Sequence, residues 1–221
     1  MKSIYETGRV PAKWKVARLI LLNKPGKDPR LTSSYRPISI LPAMSKVWEN
    51  TFKSVIQKEL GMDPFHRNQF GFRKGKGTID AISQVCMFAN SCRKKALVCV
   101  MVCIDVKNAF NSLRCEVILK EAKRRYLHSK LTRVFANYLK DRFVVLDNPS
   151  GPIVKQIFAD VPQVVGPLLW NLVYDGLLAR FDNYVNLRAI AYADDIAIMV
   201  GLKKKESVEV NLNLHMKTIL K

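Results

Sequence analysis

Asp194 and Asp195 stand side by side in AIAYADDIAIMV (189–200), a run otherwise made of small and apolar residues plus one tyrosine. A third carboxylate, Asp105, closes the apolar run ALVCVMVCID (96–105). A carboxylate buried among apolar strand residues is costly, so such groups are usually paired, neutralised or bound to a cation. On a regular strand two adjacent side chains point to opposite faces, but a tight turn at YADDIAI brings both to one rim, even without the usual turn glycine. Three carboxylates at one sheet edge repel unless cations sit among them. Oxygen donors without His or Cys suit Mg²⁺ or Mn²⁺. Two such ions about 3.5–4 Å apart can activate an attacking hydroxyl and stabilise a leaving oxygen, which is the chemistry of phosphoryl and nucleotidyl transfer. The Asp-Asp pair alone reads as a cap on a solvent-facing hairpin. Asp105 and the charge balance of the chain turn it toward catalysis.

Several elements are needed to hold these residues. VARLILL (16–22) reads as a strand entering the turn-rich NKPGKDPR. PAMSKVWENTFKSVIQKELG (42–61) reads as a helix, with Pro near its start and Gly61 at its end. TIDAISQVCMFANSCRKK (78–95) is a second helix with Thr78 as the expected N-cap. The run ending in Asp105 is rich in β-branched residues, as a central strand would be. Helices are predicted over about 115–126 and 129–141, then strands at RFVVL and GPIVKQIF, an amphipathic helix over 166–181 and a strand pair around the Asp-Asp turn. A final helical pattern covers about 205–220. This order predicts an α+β fold with a mostly antiparallel sheet backed by helices.

The 221 residues are 48% hydrophobic, enough for a sizeable core. Lys and Arg number 37 against 18 Asp and Glu, and the formal net charge of +19 favours a polyanionic partner. No window resembles a membrane span or a secretion signal, so nucleic acid is the expected partner, not a membrane, and an intracellular or nuclear location is expected, not secretion. Cys86, Cys92, Cys99, Cys103 and Cys115 form no CxxC pair. They read as reduced core thiols, neither a zinc site nor a disulfide framework.

The chain resembles the fingers and palm of a reverse transcriptase of the non-LTR (LINE-type) retrotransposon group. YADD is a form of that family's catalytic box, and IDVKNAFN resembles its preceding aspartate motif. SSYRPISILPAMSKVWE (33–49), NQFGFRKGKGTIDAI (68–82) and VPQVVGPLLWNLVYDGLL (161–178) resemble three further blocks, in the family's order. The resemblance implies a right-hand polymerase with fingers over 1–95, palm over 96–203 and the start of a truncated segment at 204–221, without a thumb. It implies RNA-directed DNA synthesis from an RNA template, a DNA primer and dNTPs, with two Mg²⁺ or Mn²⁺ ions.

By the same resemblance Asp105, Asp194 and Asp195 are catalytic metal ligands, and Val106 offers its carbonyl to one ion. Arg73, Phe110 and Gln163 would contact the nucleotide, Arg73 through its triphosphate and Phe110 as a gate under the sugar. Arg36, Lys74 and Lys76 would meet the template–primer. The basic runs KRRYLHSKLTR (123–133) and LKKK (202–205) would line the duplex.

One block departs from the pattern. Between Gln163 and Gly166 stand only Val164 and Val165, where the family's PQGSxLGP segment usually carries four residues including Gly-Ser, and Asp160 replaces a glycine. Stiff β-branched residues in a shortened loop predict a misplaced Gln163 and a crippled polymerase. The competing readings are a remnant of a partial copy that only binds nucleic acid, and a template-independent nucleotidyltransferase.

Overall fold

The computed structural model describes residues 2–106, 113–157 and 164–203, divided between two compact units. Each unit is drawn from two stretches of chain: 1–62 with 110–166, and 63–109 with 167–221. The units therefore cut across a division by chain order, and residues 63–95 belong with the strand that ends in Asp105.

In the first unit a mixed sheet runs in the order β2-β1-β4-β5. Its strands are β1 (Val16–Asn23), β2 (Tyr35–Ile40), β4 (Arg142–Leu146) and β5 (Ile153–Ile157). β1 pairs antiparallel with β2 and parallel with β4, and β4 pairs antiparallel with β5. Among the described residues four α-helices accompany it: α1 (Lys2–Thr7), α2 (Ala43–Leu60), α4 (Cys115–Arg124) and α5 (Ser129–Leu139).

α2 starts after Pro42 and stops where Gly61 takes φ 85°, a conformation glycine reaches at little cost. Its Trp48, Phe52 and Ile56 recur every fourth residue and are fully buried. Trp48 packs edge-on to Tyr138 at 4.6 Å, and Phe52 to Phe135 at 4.7 Å, so α2 and α5 share an aromatic core.

The second unit holds the antiparallel sheet β3-β7-β6, made of β3 (Val98–Asp105), β7 (Asp195–Leu202) and β6 (Leu187–Tyr192). It also holds α3 (Thr78–Lys94) and most of α6 (Gly166–Phe181). Ala81, Val85, Phe88 and Ala89 of α3 pack with Phe70, Ile190, Met199 and Cys99 on one sheet face.

Three sequence expectations change here. β3 is an edge strand among the described residues, with Val98, Met101, Cys103 and Asp105 exposed, and the central position belongs to β7. An apolar run fits either place, and only pairing decides. The N-cap of α3 is Gly77, not Thr78: the Asp80 carboxylate accepts from the Gly77 N–H at 2.7 Å. α6 is not amphipathic. It is buried at nearly every turn, from Leu168 to Phe181, with only Ala179 and Arg180 exposed.

The helices at 115–126 and 129–141 and the strands at RFVVL and GPIVKQIF form as expected. The pattern at 205–220 lies outside the described residues. All five cysteines are free thiols, but Cys86 and Cys103 are exposed and are not core residues.

Candidate active site

β3 and β7 pair in a register that sets Asp105 directly opposite Asp195, and β6 and β7 set Tyr192 opposite Asp195. Directly opposed residues in an antiparallel ladder have Cα atoms about 4.5–5.5 Å apart and side chains on the same face. One row at the end of the sheet thus reads Asp105, Asp195, Tyr192. Asp194 precedes Asp195 in the connecting loop, which consists of Ala193 and Asp194 alone. The turn is one residue earlier than an Asp-Asp turn would be.

The carboxylates are not buried, as their apolar flanks suggested. Asp105 and Asp195 are exposed and Asp194 is half-buried, at the open end of a buried sheet. Among the described residues no three His, Cys, Asp or Glu side chains converge closely enough to hold a metal ion. The donor set itself is all oxygen, with Val106 next to Asp105, and that chemistry fits a hard divalent cation.

The turn is strained and clamped. Ala193 has φ 59°, in the region that disfavours a side chain, and φ is not positive at Asp194. Positive φ at the first loop position alone is the pattern of a type II′ turn, which ordinarily takes glycine there.

Three groups hold Ala193 in place. The Trp170 indole nitrogen donates to its carbonyl at 2.8 Å, and the Gln69 amide nitrogen donates to the same oxygen at 3.3 Å. Gly71 lies so close that an added Cβ would overlap the Ala193 backbone. Gly71 is held in turn by Gln69 Oε1, which accepts from its N–H at 2.9 Å, and by Asn171 Nδ2, which donates to its carbonyl at 3.0 Å. The Phe70 N–H donates to the Ala191 carbonyl, and the Ala191 N–H donates to the Asn68 carbonyl, each at 2.8 Å. The NQFG segment therefore rides on the edge of β6 and props the turn from behind.

Arg73 sits behind this segment. Its guanidinium donates to the carbonyls of His66 at 2.7 Å and Gln69 at 2.6 Å and pairs with Asp63; its side chain is only 4% exposed. His66 ties the same loop to α6 through its backbone N–H, which donates to Asp175, and its ring, 2.9 Å from Asp182. Lys74 and Lys76 are exposed, with Lys76 over the Phe70 ring at 5.8 Å.

In the first unit, Arg36 is exposed on β2. Phe110 and Gln163 lie outside the described residues, as do Lys204 and Lys205 of LKKK. In the other basic run Lys123, Arg124, Lys130 and Arg133 are exposed, and so is Tyr126 between them.

The end of the shortened loop is described. Glu49, fully buried on α2, accepts from the Val164 N–H at 2.7 Å and the Val165 N–H at 3.3 Å, and it also bonds the Tyr138 hydroxyl. Burial raises the Glu49 pKa, and the Tyr138 hydroxyl, the two valine N–H groups and Arg142 only partly offset that rise.

The family model for reverse transcriptase (RNA-dependent DNA polymerase) matches residues 22–221. The chain belongs to the reverse transcriptase family.

The probable RNA-directed DNA polymerase from transposon BS of Drosophila melanogaster is 31% identical over 199 residues, covering 86% of this chain and 22% of that protein. The RNA-directed DNA polymerase from mobile element jockey of the same fly is 31% identical over 216 residues, covering 91% of this chain and 23% of that protein. The chain thus spans less than a quarter of either relative. Among solved structures, apo telomerase from Candida tropicalis superposes with a TM-score of 0.67 at 11% identity, over 95% of this chain and 41% of that one. Candida albicans telomerase with a fragment of telomeric RNA gives 0.64 at 9% identity, over 99% of this chain and 42% of that one. The expected right-hand polymerase fold is the one found. No helix among the described residues is long and apolar enough to cross a membrane.

Sequence reading located the three aspartates but passed over Gln69, Gly71, Trp170 and Asn171, which shape this reverse transcriptase turn. The available signal was a polar Asn-Gln pair set against Phe-Gly in NQFG, and an indole and an amide inside an otherwise apolar helix.

Proposed function

We propose that this chain is the RNA-directed DNA polymerase domain of a non-LTR retrotransposon, extending a DNA primer along an RNA template. The observation that carries this reading is the register of β3 on β7, which brings Asp105 opposite Asp195 with Asp194 in the adjoining turn. Those three side chains and the Val106 carbonyl would hold two divalent cations, Mg²⁺ or Mn²⁺. When bound, such ions neutralise the charge that develops on the attacking and leaving oxygens.

In the transfer, a bond forms between the primer 3′-oxygen and the α-phosphorus of a dNTP, and the bond to pyrophosphate breaks. The open end of the sheet leaves the carboxylates accessible to both reactants. The tethered turn fixes their spacing before substrate arrives, which is where positioning contributes most to phosphoryl transfer.

Lys74 and Lys76 supply exposed positive charge for the template–primer, and Arg36, itself exposed, is assigned to it by the family pattern. Arg73, Phe110 and Gln163 are assigned to the nucleotide by the family pattern. As placed, Arg73 would have to leave the His66 and Gln69 carbonyls to reach a triphosphate. The free thiols fit an intracellular setting.

The test is primer extension with Mg²⁺ or Mn²⁺ and all four dNTPs, on an RNA template and without template, using the wild type and Asp194→Ala/Asp195→Ala. Template-dependent extension lost in the double variant supports the reading. Extension without template, or extension surviving in the double variant, contradicts it.

A further inference from the structure

Tyr126 stands between α4 and α5 in the run KRRYLHSKLTR, and its side chain is 92% exposed. No other phenylalanine, tyrosine or tryptophan among the described residues is more than half exposed; the next, Phe72, is at 48%. Its backbone takes φ 57°, in the left-handed region that disfavours a side chain. The Leu127 N–H donates to the Ala122 carbonyl at 3.1 Å, and the Tyr126 N–H donates to the Lys123 carbonyl at 2.9 Å. These two bonds close α4 in the motif that ordinarily puts glycine where Tyr126 stands. Ala96 and Asp141 also take positive φ, but one is small and the other polar. At Tyr126 the chain carries the cost of the conformation and buries no ring in return.

The loop that presents this ring is fixed. Leu127 beside it is buried, with its carbonyl accepting from the Thr132 hydroxyl at 3.3 Å, and the His128 N–H donates to Glu59 at 2.6 Å. Lys120 and Lys123 on α4 and Lys130 on α5 are exposed and make no ion pair among the described residues. The nearby acids are engaged locally: Glu121 accepts from Arg124 at 2.7 Å, and Glu59 holds the His128 N–H. A rigid, solvent-facing ring flanked by cations is the combination that holds single-stranded nucleic acid, with a base stacked on the ring and phosphates on the cations. Bases inside a duplex already stack on one another, so a ring offered in this way is matched by an unpaired strand.

We propose that Tyr126 and the exposed lysines on either side of it form a binding surface for single-stranded RNA, one unpaired base stacking on the ring and the adjoining phosphates meeting Lys120, Lys123 and Lys130. The surface is distinct in kind from the carboxylate site: it uses neither Asp194 nor Asp195 and needs no divalent cation. It gives the run 123–133 an unpaired strand as its ligand in place of the duplex. The choice of RNA rests on reading the chain as an RNA-directed polymerase, because a template is unpaired until it is copied.

The experiment is fluorescence anisotropy of a short labelled oligouridylate titrated with the full chain, without divalent cation, alongside melting temperatures. Oligothymidylate and a blunt RNA–DNA duplex are the comparison probes. The proteins are the wild type, Tyr126→Gly, Tyr126→Trp and Asp194→Ala/Asp195→Ala. Tyr126→Gly is expected to melt at or above the wild type, because glycine suits the positive φ. It should bind oligouridylate about 10-fold more weakly, as loss of one stacked base implies. Tyr126→Trp should bind at least as tightly as the wild type, and the double alanine variant should bind like it. Wild-type affinity in Tyr126→Gly would overturn the proposal, and so would an equal loss on the blunt duplex. A lower melting temperature in Tyr126→Gly would also overturn it, by showing that the ring serves the fold. Tighter binding of oligothymidylate than of oligouridylate would overturn the assignment to RNA. Primer extension by the same wild-type preparation reads the polymerase separately: a chain that fails to extend but loses oligouridylate with Tyr126→Gly keeps this surface and loses only the polymerase reading.

Discussion

Gly71 and Ala193 approach each other so closely that a methyl group on Gly71 would occupy the space of the Ala193 backbone. The two residues are far apart in sequence, yet their contact decides the shape of the turn that carries Asp194. Ala193 takes a left-handed conformation that costs a non-glycine residue about 1–2 kcal/mol. The hydrogen bonds from Trp170 and Gln69 to its carbonyl, together with the close packing of Gly71, offset that cost.

Replacing Gly71 with alanine should therefore be felt at the turn. Steric overlap with backbone, not with a flexible side chain, leaves little room for relaxation. Destabilisation of about 1–3 kcal/mol is expected for overpacking of this kind, together with a large loss of polymerase activity. Denaturant midpoints and primer extension would measure the two. A variant with wild-type stability and wild-type extension would show that the turn does not depend on this contact.

Arg73 offers a test in which structure and substrate binding separate. Its planar fork meets two carbonyls and Asp63, a geometry that lysine cannot reproduce. Arg73→Lys should lower stability by about 1.5–3 kcal/mol, the range for hydrogen bonds made by charged groups, with no nucleotide present. A melting experiment on the chain alone reads this. If Arg73→Lys melts like the wild type and raises only the KM for dNTP, the guanidinium serves the nucleotide and not the loop.

Glu49 predicts a pH dependence. Its carboxyl is held above the usual carboxylate range, mainly by burial, so the folded chain binds that proton more tightly than the unfolded chain does. Stability from this group is fully present below the unfolded pKa and is lost as pH rises through the folded value. The wild type should therefore lose stability over that window, and Glu49→Gln, which cannot ionise, should show a flatter profile. Chemical denaturation across pH would distinguish them. Parallel curves would mean that the protonation of Glu49 does not change on folding.

The three aspartates were legible because charge interrupts apolar runs at each of them, and the helices at 42–61 and 78–95 because their punctuation is local. Pairing was not legible. Nothing in ALVCVMVCID distinguishes an edge strand from a central one, since both β-branched content and apolarity suit either. The turn came out one residue early because Ala193, not an aspartate, absorbs the positive φ, and only the props from Gln69, Gly71 and Trp170 make that tolerable. These props come from segments distant in sequence, so no local pattern announces them. Glu49 gave no signal either, because its partners Val164 and Val165 lie in the block that departs from the family pattern.

Strand register alone brings Asp105, which lies far from YADD in the sequence, opposite Asp195. The most direct measurement is primer extension on an RNA template by Asp105→Ala, with template–primer binding and melting temperature measured on the same preparation. Incorporation should disappear while binding and fold are retained, as in Asp194→Ala/Asp195→Ala. Incorporation at the wild-type rate by a folded Asp105→Ala chain would contradict it.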